Sequence, residues 1–148
     1  TPNFSAELGG GGILINPGIT TYAANAALIM NSENNRATIS YSRSAFPSFV
    51  GVPILLIGDV FSFSAVQKID QQWQLTESAN YMQSSGGSGL NTVAFKSYVA
   101  SVDISYWMTR IWSTGLSYSY NKFNQTFGST QTEMDRQVIS FSVRASWG

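Results

Sequence analysis

The stretch that most constrains this chain is its end, where Ile139, Phe141, Val143, Ala145 and Trp147 alternate with Ser140, Ser142, Arg144 and Ser146. A period of two places successive side chains on opposite faces of an extended strand, so one face here is apolar and the other polar. The strand before it repeats the parity. Trp112, Thr114, Leu116, Tyr118 and Tyr120 oppose Ser113, Gly115, Ser117, Ser119 and Asn121, and further back Tyr98, Ala100, Val102, Ile104 and Tyr106 oppose Ser101, Asp103 and Ser105.

Followed to the start of the chain, the pattern predicts eight antiparallel strands: Phe4 to Leu8, Tyr22 to Met30, Ala37 to Arg43, Val60 to Gln67, Trp73 to Met82, Tyr98 to Trp107, Trp112 to Asn121 and Arg136 to Trp147. Their connections alternate in length. Asn31 to Asn35, Lys68 to Gln72 and Met108 to Arg110 are tight, whereas Gly9 to Thr20, Ser44 to Gly58, Gln83 to Lys96 and Lys122 to Glu133 are long and hold most of the glycine and proline. Short periplasmic turns and longer extracellular loops are the habit of outer-membrane barrels. The expected fold is therefore all-β, a transmembrane antiparallel up-and-down β-barrel of about eight strands or the C-terminal half of a larger one, forming one domain over residues 1–148.

Composition supports that reading over a soluble barrel. Charged residues are 11% of the chain, against about 25% in soluble domains, and the polar face is built from Ser, Thr, Gly and Asn rather than Lys and Glu. No apolar run exceeds Ala26 to Met30, far short of the ~20 residues of a membrane helix. Eight basic and eight acidic residues cancel, which gives no basic surface for nucleic acid. Cysteine and histidine are absent, removing disulfides, thiolate and imidazole catalysis, and the usual zinc and haem ligands. No enzyme activity, metal or cofactor is expected. Thr1 opens the chain without a leader sequence, which reads as a mature or trimmed end.

Aromatic rings that are apolar in body and polar at the tip collect where hydrocarbon meets headgroups. Trp73, Trp107, Trp112 and Trp147 fall at the tight-turn end, and Tyr22, Tyr41, Tyr81, Tyr98, Tyr118 and Tyr120 towards the other, with Tyr106 the exception. Two girdles are expected.

The terminal VISFSVRASW resembles the C-terminal signature of bacterial outer-membrane proteins, in which alternate hydrophobic residues lead to a final aromatic. That resemblance implies recognition by the barrel-assembly machinery, although Gly148 follows the aromatic. The run WSTGLSYSYNKFNQTFGSTQTEMDRQVISFSVRASW, about a quarter of the chain, looks like the last two strands of large barrels associated with exopolysaccharide systems in Gram-negative bacteria. It implies an outer-membrane location and polysaccharide as cargo.

Charge on the polar, lumen-facing parity is sparse, with Glu7, Asp103 and Arg144 its clearest members. They either brace the wall or set the selectivity of a pore. If eight strands close on themselves, Glu7 and Arg144 come together across the seam. Glu133, Asp135 and Arg136 read as solvated charge, and Gly9 to Gly12, with no helix after it, as a flexible loop rather than a phosphate cradle. Glu77 falls on the lipid-facing parity, where it either meets a protein neighbour or marks a bulge that shifts the parity. The functional expectation is a passive channel or export pore in outer-membrane lipid. An anchor whose loops bind protein or glycan is the second reading, and a soluble lipocalin-like binder the third.

Overall fold

The computed structural model describes residues 1–16, 19–47, 55–87 and 92–145. Eight strands follow in chain order: β1 (Asn3–Asn16), β2 (Ile19–Asn31), β3 (Asn35–Pro47), β4 (Leu55–Lys68), β5 (Trp73–Gly86), β6 (Val93–Trp107), β7 (Trp112–Phe127) and β8 (Thr130–Ala145). Every consecutive pair is antiparallel, in one up-and-down sheet ordered β1 to β8. There is no helix among the described residues.

The sheet is open. β1 and β8 are its two edges and are not paired with one another, so closure into an eight-stranded barrel, expected above, is not formed. With the edges apart, the Glu7 and Arg144 seam pair is absent too. The ion pairs among the described residues are Arg43 with Asp59 and Lys122 with Glu133.

At one end of the sheet, hereafter the near end, the turns are fixed by local side chains. The Asp70 carboxylate accepts from the backbone N–H groups of Gln72 (2.7 Å) and Trp73 (2.8 Å). The Thr109 hydroxyl does the same for Ile111 (3.2 Å) and Trp112 (3.0 Å). Both occupy turn donors that the ladders leave over.

At the far end the strands outrun expectation. Gly9 to Thr20 and Lys122 to Glu133 are mostly strand, the latter turning through Gly128 and Ser129 only, with Gly128 at φ 57°. Residues 48–54 and 88–91 of the expected long loops lie outside the described residues, and most of the remaining far-end segments are strand. Alternation fades there because side chains on both faces become polar or mixed, while the backbone ladder continues without regard to side chains.

A single layer buries little. The chain exposes 10262 Å², whereas a soluble monomer of 16.1 kDa exposes about 7,400 Å². Among the described residues, Leu56 (1% exposed) and Val93 (0%) are the buried apolar side chains, joined by Ser84 (1%). By register all three lie at the far end of the polar face, on adjacent rows. The glycines Gly58 and Gly86 make room for them and for Phe46: a Cβ on Gly58 would stand 2.5 Å from the Phe46 ring, and one on Gly86 would strike the Leu55 carbonyl.

Candidate lumen wall and apolar belt

Residues paired across antiparallel strands share a face, so the register assigns every side chain. Ser5, Thr38, Ser64, Ser78, Ser101 and Ser119 form one row across the polar face, interrupted by Ile29 and ending at Val138. Ser78 and Ser101 are hydrogen-bonded at 2.7 Å. The next row towards the far end runs Glu7, Ala27, Ser40, Ser62, Asn80, Val99, Asn121 and Arg136. These two rows are mostly hydroxyl and amide side chains, and the whole face also carries the charges of Glu7, Arg36, Lys68, Asp103, Arg136 and Arg144.

The three charges expected here occupy this face in separate places. Glu7 is on one edge strand and Arg144, opposite Ser113, on the other. Asp103 lies between Thr76 and Ser117 and accepts from the Ser105 hydroxyl at 2.7 Å. They form no ion pair with one another.

The opposite face is mainly apolar through the middle of the strands, with Glu77 on β5 the exception. Phe61, Phe63, Ile104, Leu116, Tyr118, Phe141 and Val143 all fall on it, and all but Phe63 are exposed. Towards the far end it carries one aromatic row on four neighbouring strands, Tyr41, Phe61, Tyr81 and Tyr98, with ring centroids 4.8, 6.2 and 4.8 Å apart. The next row on the same face is Arg43, Asp59, Gln83, Lys96, Asn124 and Glu133. The change from rings to charge takes one step.

Of the expected girdle, Trp73 and Trp112 lie on the apolar face at its near end. Trp107 pairs with Ser113 and so takes the polar parity at its strand end. Counted along the rows, Tyr118 and Tyr120 on β7 lie closest to the near end, Tyr98, Tyr81 and Tyr41 follow, and Tyr22 on β2 lies furthest from it, so the tyrosines run along an oblique line rather than one row. Trp147 lies outside the described residues.

The belt is oblique to the hydrogen-bonded rows. Its last large apolar residue on β8 is Ile139, whose row passes through Tyr118, Val102, Glu77, Ala65, Ala37 and Met30 to Phe4 on β1. On β1 the belt continues to Leu14, ten residues beyond Phe4. At the near edge, the row of Trp112 on β7 projects six residues short of Phe4, the first apolar belt residue of β1. The belt therefore climbs between one and one and a half residues per strand.

Asp59 and Gln83 escaped sequence reading because each lay at or beyond the edge of a strand drawn too short. Tyr41 donates to Asp59 at 2.7 Å and Tyr81 to Gln83 at 2.6 Å. Parity with Phe61 and Tyr81 was the available signal. No three acidic, histidine or cysteine residues cluster to hold a metal among the described residues.

No known protein family matches this chain, and neither the curated proteins nor the solved structures give a match.

Proposed function

We propose that this chain forms part of the wall of an outer-membrane β-barrel, with its apolar face in lipid and its hydroxyl-lined face on a hydrated lumen that passes polar solutes passively. The observation that carries the reading is the drift of the apolar belt. A climb of one to one and a half residues per strand, at ~3.3 Å per residue and ~4.8 Å between strands, corresponds to a tilt of roughly 35–45°, the range strands adopt in membrane barrels. A belt of constant depth would then lie flat in the bilayer. From Trp73 to Tyr81 its height at that tilt is about 20 Å, close to the ~25 Å apolar band of such barrels.

The open edges support a wall wider than these eight strands. Edge N–H and C=O groups cannot be left bare in hydrocarbon, so β1 and β8 pair with further strands when inserted. On the polar face, rows of Ser, Thr and Asn side chains suit a hydroxyl-rich cargo, in keeping with the resemblance to exopolysaccharide-associated barrels.

A second reading, an anchor with an obstructed lumen, is favoured by one feature. Leu56, Val93 and Phe46 make the far end of the polar face apolar and packed. Planar-bilayer recording on the full-length protein separates the two. Stable single-channel steps support the pore; insertion with quenching of the tryptophans by brominated lipid but no conductance supports the anchor. A protein whose tryptophans brominated lipid does not quench refutes both.

A further inference from the structure

We infer that the apolar face around Glu77 is a lateral docking surface for a membrane-embedded protein element presenting a Lys or Arg side chain at mid-depth; this rests on the membrane reading above. The pairing of β5 with β4 and with β6 runs through Glu77 without a shift, opposite Ala65 and Val102. No bulge turns it inward. It stands midway between Trp73 and Tyr81, four residues from each, and so at the centre of the belt.

Glu77 opens into a shallow cavity of about 220 Å³ that is lined also by Asn35, Arg36 and Gln67, and by Met30, Ala37, Ala65 and Leu75. The small and flexible side chains of the last four let a neighbouring backbone come close, as interfaces in membranes require. Among the described residues Glu77 forms no ion pair, and Arg36, which lines the same cavity, belongs by register to the opposite face. An ionisable group at this depth is expensive unless partnered, and it marks a functional contact.

Charge complementarity decides what the partner is. Lipid chains carry no donor. A second copy brings no cation either, because the Lys and Arg residues on its apolar face, Arg43, Lys96 and Lys122, lie level with or beyond the tyrosine row. What remains is a different chain with a basic side chain at mid-depth.

The test uses the full-length protein reconstituted in phosphatidylcholine vesicles, with three dansyl-labelled transmembrane Leu/Ala peptides carrying one central lysine, one central aspartate, or leucine throughout. Energy transfer from the native tryptophans reports association. The wild type is expected to bind the lysine peptide at least tenfold tighter than the leucine peptide. Glu77→Gln should abolish that preference, and Glu77→Lys should transfer it to the aspartate peptide. Equal binding of the lysine and leucine peptides by the wild type, or an unchanged preference in Glu77→Gln, overturns the inference. So does self-association that depends on Glu77 without peptide preference, which would assign the face to a second copy. Brominated-lipid quenching is measured on the same samples: unquenched tryptophans bring down the membrane reading itself, whereas quenched tryptophans without lysine preference bring down this inference alone.

Discussion

The Arg43 Nη1 lies 2.9 and 3.0 Å from the two carboxylate oxygens of Asp59, its direct cross-strand partner. The pair sits one row beyond Tyr41 and Phe61, where the apolar face turns polar. Tyr41 donates to the same carboxylate, and the guanidinium lies 4.6 Å from the centre of the Tyr22 ring. One ion pair thus ties three strands at the edge of the belt.

Both charges are about a quarter exposed, which holds the expected coupling in an Arg43→Ala and Asp59→Ala double-mutant cycle to about 1 kcal/mol. Asp59→Asn should cost more than Tyr41→Phe, since it weakens three hydrogen bonds rather than one. Urea unfolding of the vesicle-inserted protein measures all of these. Additive single mutants would show that the contact contributes nothing to stability.

Val102 and Ser101 are neighbours in sequence on opposite faces of β6. With Val102 at the centre of the belt, Val102→Arg should destabilise the inserted protein by about 2–4 kcal/mol. Ser101→Arg, on the hydroxyl face, should cost about 1 kcal/mol, the loss of its bond to Ser78. The reverse order of costs would exchange the two faces.

The number of strands, their near-end starts and the identity of both faces were legible in the sequence, because through the belt one face must be apolar and the other polar. Trp73 and Trp112 begin their strands in the sequence reading and in the structure alike. The far ends were not legible. From Gln83 to Gly86, and from Lys122 to Phe127, neither face is uniformly apolar, so no alternation marks residues that the ladder still holds. Closure was equally hidden, since whether β1 meets β8 depends on edges whose side chains alternate alike in a closed barrel and an open sheet. Glu77 was visible as a break in pattern. Only the register shows that it stays on the apolar face.

At the far end, Gly58 lies against the Phe46 ring and the Ser84 Cβ. Gly58→Ala should therefore destabilise by about 1–3 kcal/mol, the usual cost of overpacking. Phe46→Ala should recover much of that loss in the double variant, since the clash is with a side chain. Gly86→Ala should resist rescue by any side-chain change, because its nearest obstacle is the Leu55 carbonyl. Rescue failing at Gly58 would mean that the strand backbone, rather than Phe46, demands glycine there.

Phe4, Val102 and Ile139 share one hydrogen-bonded row, yet the oblique belt assigns them three depths. Phe4 opens the belt on β1 at its near edge, Ile139 closes it on β8 at its far edge, and Val102 is central on β6. In a background with the native tryptophans changed to phenylalanine, single substitutions Phe4→Trp, Val102→Trp and Ile139→Trp sample these positions. Lipids brominated near the end of the acyl chain should quench Val102→Trp most. Those brominated near the headgroup should quench Phe4→Trp and Ile139→Trp most, and Leu14→Trp should match Ile139→Trp despite lying ten residues from its row. Strands upright in the bilayer would hold the whole row at one depth and give one quenching profile for all three. That result would remove the tilt, and with it the observation on which the membrane reading stands.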